Sequence, residues 1–355
     1  MFSSEVISMV VFIVFIVAVL LIDLLFVGKD SAEVSLKEAG TWSIIWISLA
    51  LLFSLLLLYF GHIVHGVDNM DHLREIAHKY APELKFTGDT FDANLHIYRK
   101  YMTISYLTGY LIEETLSTDN LFVMLMILTA FNVRPSSYKT VLLWGILGAI
   151  VLRFAFIFAG SALIQRFEWV MLIFGAYLVY AGVSMFIKRH EEEKIDPQHH
   201  WLVKFTSRWF KVFPKYVGKN FFVKRNGVLH ITPLLVVVFI IEFSDLIFAV
   251  DSIPAIFSVT RDPYVVFFSN IFAILGLRSL FFLLVHVVKL FYYLKTGISV
   301  LLAFIGFKLL FHTWLDEIGF QSIYSLYFIL FVIVLSIGFS LIRKKREKTK
   351  LVAAE

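Results

Sequence analysis

Two stretches of this sequence place carboxylates where carboxylates are rare. Residues 112–123 read IEETLSTDNLFV, with Glu113, Glu114 and Asp119. Residues 241–254 read IEFSDLIFAVDSIP, with Glu242, Asp245 and Asp251. Both lie inside apolar runs long enough to cross a bilayer, where an ionisable side chain is costly and marks a pathway, a relay or a bound partner. In each stretch an acid stands six positions before a second aspartate: Glu113 before Asp119, Asp245 before Asp251. Asn120 follows the first aspartate and Ser252 the second. Carboxylate, amide and hydroxyl oxygens suit Mg, Ca or Mn rather than Cu or Zn. The two stretches therefore read as two halves of one cation site. Its candidate ligands are Glu113, Asp119, Asn120, Glu242, Asp245, Asp251 and Ser252.

On an ideal helix Glu113, Ser117 and Asn120 share one face, and Asp245 and Ser252 repeat that spacing with Glu242 one turn earlier. Asp119 and Asp251 then point about 100° away. Either they serve a different neighbour or the helices unwind beside them. Pro254 points to unwinding in the second stretch, because its ring leaves the Val250 carbonyl without a helical donor. Glu114 has no counterpart in the second stretch, where Leu246 stands.

The elements that position these residues are membrane spans. The chain has 355 residues, is 59% hydrophobic with a mean hydropathy of +0.82, and contains 38 phenylalanines. That composition belongs to an all-α, polytopic membrane helical bundle, not a soluble domain. Cysteine is absent, which excludes disulfides, thiolate metal ligands and thiol redox chemistry. No nucleotide-binding loop, nucleophile elbow or HExxH motif is present, and no GxGD motif flanks Asp119 or Asp251 as an intramembrane aspartyl protease would need. The chain reads as no enzyme, with no cofactor. A spanning helix needs about 20 apolar residues, which predicts nine spans near 6–27, 42–60, 102–131, 141–163, 169–187, 233–257, 264–286, 298–314 and 323–342. The first follows MFSSE without a basic region or a small-residue cleavage site, so it reads as a retained helix.

Alternate loops carry 22 basic residues on one side and 7 on the other. The positive-inside rule makes the richer side cytoplasmic, with the N-terminus outside and the C-terminus, RKKREKTK at 343–350, inside. The net charge of +5 thus reports topology and lipid, not nucleic acid. Seven acids lie within spans, Asp23 among them at an interface, against three bases, Arg153, Arg278 and Lys308. Pairing of acids with these bases to fix the bundle accounts for part of the set. The surplus negative charge in low dielectric calls for a cation or protons.

Arg153 and Arg278 also mark an internal repeat. Each lies mid-span, in the span after an acidic stretch, with Leu before it and Phe three residues after. Spans three to five and six to eight thus read as two copies of a three-helix unit. Three spans separate equivalent helices, so the copies are inverted, with a site at the midplane between them. The chain divides into residues 1–101 (two helices and an extracytoplasmic loop), 102–190 (first repeat), 191–232 (cytoplasmic loop), 233–315 (second repeat) and 316–355 (last helix and basic tail).

Five stretches carry a family resemblance: IEETLSTDNLFV at 112–123, WGILGAIVLR at 144–153, TPLL at 232–235, FAVDSIPAIF at 248–257 and SNIFAILGLRSLFF at 269–282. With these motifs the sequence resembles the TerC family of bacterial integral membrane proteins, within the LysE-type transporter group, over about residues 100–315. The resemblance implies a metal-ion exporter of the bacterial inner membrane, chiefly for Mn2+. The family's acidic motif residues fall here on Glu113, Asp119, Asn120, Asp245, Asp251 and Ser252. A divalent ion is then the transported partner, protons a candidate exchange partner and the bilayer the surroundings; the oligomeric state stays open. The alternative is a membrane component of a tellurium or metal stress-resistance complex without transport of its own.

Two further segments invite a function. GHIVHGVDNMDH at 61–72 sets His62, His65, Asp68 and Asp71 three residues apart beside His72, as a metal-collecting helical face or a solvated juxtamembrane helix. Residues 201–210, WLVKFTSRWF, suit an amphipathic helix on anionic lipid.

Overall fold

The computed structural model describes residues 3–26, 34–167, 169–188, 212–225, 227–287, 293–311, 314–315, 320 and 322–352. Within these ranges the side chains of residues 23–26, 118–119, 122, 251, 286–287, 294–295, 322–323 and 344–352 are not described. The architecture is an all-α membrane bundle. Its helices are α1 Ser4–Phe26, α2 Leu36–Phe60, α3 His62–His65, α4 Met70–Tyr80, α5 Phe91–Ala130, α6 Pro135–Arg166 and α7 Trp169–Ile187. A hairpin follows, β1 Phe222–Arg225 paired antiparallel with β2 Val228–Ile231. Then come α8 Pro233–Phe257, α9 Pro263–Val287, α10 Leu294–Leu310 and α11 Ser322–Val352.

Local sequence fixes the ends. Ser35, Asn69 and Thr90 cap α2, α4 and α5 by accepting from the backbone N–H three residues on. Pro135 and Pro233 open α6 and α8, where a missing N–H costs nothing. Seven of the described helices are long and apolar enough to cross a membrane: α1, α2, α6, α7, α8, α9 and α11. Helix α5 is longer still at 40 residues but carries the first acidic stretch, and α10 has a shorter apolar segment, Thr296–Leu310. The predicted spans overlap α1, α2 and α5 to α11; the one expected at 298–314 runs past the end of α10 at Leu310.

The packing has a reciprocal pattern. Helix α5 packs on α9 and α6 on α8; α5 also meets α8, α6 meets α9, and α7 meets α10 in the most extensive contact. Glycines bring that last pair together. A Cβ at Gly182 would stand 2.7 Å from the Ala303 nitrogen, and one at Gly306 2.6 Å from the Val179 nitrogen. Small residues allow such backbone approach where lipid supplies no hydrophobic drive. Helix α9 is central, with 78% of its apolar window buried against 22–44% elsewhere. Its Phe267, Phe268 and Phe272 join Phe12 of α1, Phe53 of α2 and Tyr106 of α5 in one aromatic cluster. That cluster seats α9 against α5 and so sets the frame for the acidic stretches.

Candidate functional site

Arg153 is the centre of the buried polar structure. It lies midway along α6 and is 1% exposed. Its Nε and Nη2 donate to the two carboxylate oxygens of Asp245 on α8, at 3.2 and 3.0 Å. That fork is the strong, directional form of a guanidinium–carboxylate pair. Its Nη1 donates to Glu113 Oε1 on α5 and, at 2.6 Å, to Asn270 Oδ1 on α9. Asn120 Nδ2 donates to Asp245 Oδ1 at 2.6 Å, and Ser117 Oγ to Glu113 Oε1 at 2.9 Å. One guanidinium thus ties four helices through groups that are all buried. Removing one partner from such a set strands a charge in low dielectric.

Two cavities flank this knot. The first is small, about 20 Å3, and is lined by Glu113, Ser117, Asn120, Arg153 and Ser252, with apolar side chains completing the wall. Glu113 Oε2, Asn120 Oδ1 and Ser252 Oγ are buried there with no hydrogen-bond partner among the described residues. The second is smaller, about 10 Å3, and is lined by Asp245, Arg278, Gly145 and apolar residues of α5, α6, α8 and α9. Each cavity has one acid of the knot and one arginine on its wall.

The predicted face of Glu113, Ser117 and Asn120 is one wall of the first cavity. Asp245 and Ser252 share a helix face yet line different cavities. Glu242 lies apart from Arg153, against α6. A Cβ at Gly148 would overlap its carboxylate, and neither carboxylate oxygen has a hydrogen-bond partner among the described residues. Glu114 faces the other way, 4.0 Å from where a Cβ of Gly276 would stand. Arg278 is buried on the second cavity's wall, and Lys308 is half-buried on α10. The side chains of Asp23, Asp119 and Asp251 lie outside the described residues. Among the described residues no three His, Asp or Glu side chains cluster at metal-ligating distance.

Two expectations need correction. Neither acidic helix unwinds: α5 runs unbroken through Asp119 and α8 through Asp251. Pro254 falls in the last turn of α8, where it releases one carbonyl and where its own carbonyl still accepts from Ser258. The His-rich segment is not one helical face either. Gly66, at φ 66°, ends α3 in the left-handed region, and α4 starts at Met70. His62 turns to Arg99, and His72 lies 3.6 Å from Asp68. His65 points inward instead. Its Nδ1 meets Glu5 of α1 at 3.0 Å and its Nε2 meets Asp262, before α9, at 2.9 Å. Burial opposes its charge, but Asp262 and Glu5 outweigh burial and raise its pKa from 6.5 to about 9. The described residues of 188–232 include the hairpin, whose flank ties back through Tyr216 to the Phe131 carbonyl at 2.7 Å. The segment 201–210 lies outside them.

Sequence reasoning missed Asn270, Glu5 and Asp262. Asn270 stands inside the quoted motif SNIFAILGLR, so its place in a polar knot could have been asked of a lone amide in an apolar helix. Glu5 and Asp262 are 257 residues apart and leave no local signal.

The comparisons agree with this architecture. The model of the integral membrane protein TerC family matches residues 98–348. A Salmonella typhi protein named as a candidate membrane-bound redox modulator, Alx, is 42% identical over 300 residues, 84% of each chain. Its Escherichia coli K12 counterpart is 40% identical over the same share. An uncharacterized membrane protein of Rickettsia felis is 34% identical over 93% of this chain and 97% of its own. No solved structure matches. The family match spans the knot, both cavities and the helices that build them: the chain belongs to the integral membrane protein TerC family.

Proposed function

We propose that this chain is a secondary transporter that exports divalent metal ions, Mn2+ first among them, from the cytoplasm in exchange for protons. The observation that carries the reading is the first cavity. Three buried oxygens, from a carboxylate, an amide and a hydroxyl, face it without hydrogen-bond partners among the described residues, beside a guanidinium that already neutralises its acid. Such oxygens are hard-cation ligands. They come from both acidic stretches, Glu113 and Asn120 on α5 and Ser252 on α8. Asp119 adjoins Asn120 in sequence and Asp251 adjoins Ser252. An arriving divalent ion competes with Arg153 for Glu113 and Asp245, and carboxylates that release an ion can take up protons.

The reciprocal helix contacts suit two inverted three-helix copies, with α5 to α7 corresponding to α8 to α10. On this reading Arg278 takes the acids when Arg153 lets go, and the two cavities open in turn to opposite faces. The nine helices cross the inner membrane with the N-terminus outside and the C-terminus in the cytoplasm. The Alx relatives' name points to redox. This chain has no cysteine and so no thiol chemistry of its own; export of a redox-active ion is a route to such an effect that needs none. The test is Mn accumulation in cells lacking the protein and complemented by variants. Asp119→Asn and Asp251→Asn should fail to lower cellular Mn while still inserting, and Asp23→Asn should complement. Normal export by both mid-span variants would make these acids structural.

A further inference from the structure

Asn270 and Gly145 hold corresponding places in α9 and α6. Each stands eight residues before the arginine of its helix, in SNIFAILGLR at 269–278 and WGILGAIVLR at 144–153. Asn270 is fully buried. Its Nδ2 donates to the Val266 carbonyl at 3.2 Å, which fixes the amide plane, and its Oδ1 accepts from Arg153 at 2.6 Å. An amide oxygen beside two carboxylates gives the guanidinium a third acceptor, from a third helix. Gly145 lines the second cavity together with Arg278 and Asp245 but has no side chain to offer.

We propose that Asn270 is a positioning residue that keeps Arg153 on Glu113 and Asp245, and that the glycine at 145 withholds the same brace from Arg278. The asymmetry sets the resting state: the arrangement with Arg153 engaged predominates, and the knot separates the two cavities. This rests on the reading of two copies whose arginines trade the acids. A hydrogen bond to a charged group shifts such an equilibrium by about tenfold or more. The second cavity lies on the hairpin side of the knot. Its wall includes Met124, near the end of α5, and Leu142, near the start of α6. The first cavity reaches past the knot to Phe248.

The absence of cysteine allows a clean test. Phe248→Cys is the single reporter, and a membrane-impermeant cationic thiol reagent is added at the hairpin face, without metal. Asn270→Gly should speed labelling about tenfold, because the knot loosens. Asn270→Asp should slow it, because a carboxylate holds the guanidinium harder than an amide. Gly145→Asn should act like Asn270→Gly. A Cβ there meets only ordinary contact, 3.5 Å from Ile241, and position 145 lines the second cavity. If Asn270→Gly does not insert, the opposite signs of Asn270→Asp and Gly145→Asn still decide. Labelling that shifts the same way in Asn270→Asp and Gly145→Asn, or stays within about twofold in both, overturns the brace. Absent metal flux with the labelling signs intact would overturn the transport reading and leave the brace standing.

Discussion

The chain holds a cation between two carboxylates in two places. Arg153 lies between Glu113 and Asp245 within the apolar bundle, and His65 lies between Glu5 and Asp262 beyond the end of α2. Both cations are buried, and both join helices distant in sequence. They differ in what can undo them. A guanidinium does not lose its proton in a protein, so what releases Glu113 and Asp245 is another cation, a proton on the carboxylates included, or another partner for the arginine. An imidazolium does lose its proton, so pH alone can unlock α1 from the segment before α9. On the proposed reading the same motif serves as an ion-responsive lock in one place and as a pH-responsive clasp in the other. Their surroundings agree. The Arg153 lock borders two cavities, one with oxygens that have no hydrogen-bond partner among the described residues, whereas the clasp is filled by Tyr80 and Tyr264, whose hydroxyls both donate to Glu5.

The largest effect that separates the two belongs to Arg153. Arg153→Ala leaves Glu113 and Asp245 facing each other unneutralised, and about 3–5 kcal/mol of stability should be lost. Thermal unfolding in detergent measures it. Adding Glu113→Gln and Asp245→Asn to that variant should restore most of the stability but no export. Restored export would mean that the lock is only structural.

The clasp should give the next largest effect, with the opposite functional result. His65→Ala should cost stability at neutral pH and leave metal export in place, since no cavity of the site touches it. Export lost along with stability would merge the two clusters into one mechanism.

Alkaline pH sharpens the contrast. The folded pKa of His65 is raised, so its contribution is fully present below about 6.5 and is lost as pH rises through about 9. The shift corresponds to about 3 kcal/mol of stability, which the wild type should lose between those limits, read as a fall in its unfolding temperature. His65→Ala should show a flatter profile there. An unchanged slope in that variant would assign the pH dependence elsewhere.

The smallest structural effect concerns Gly148. Gly148→Ala should displace the Glu242 carboxylate, since a methyl group would overlap it, with a cost of about 1–3 kcal/mol from overpacking and no change in the clasp.

Lipid made much of this legible in sequence. A bilayer demands long apolar runs, so the positions of the predicted spans could be read one by one, and they fall on helices. The face shared by Glu113, Ser117 and Asn120 followed from helical periodicity and became a cavity wall. Two features were not legible, and two signals misled. The partner of Arg153 on α9, Asn270, depends on how α6 and α9 cross. The His65 clasp needs residues 5, 65 and 262 to meet, which no local pattern announces. The His stripe misled because its spacing suits a helix that Gly66 interrupts. Pro254 misled because a proline's damage depends on its distance from the helix end, and α8 stops three residues later.

Ion flux through the purified, cysteine-free chain in sealed vesicles tests the central claim most directly. An imposed proton gradient should drive Mn2+ through the wild type in the direction opposite to the protons, and Asp245→Asn, which breaks the fork on Arg153 and removes a carboxylate from the knot, should abolish that flux while Asp262→Asn retains it. No flux by the wild type, or equal flux by the wild type and Asp245→Asn, would contradict an ion-responsive lock at Arg153.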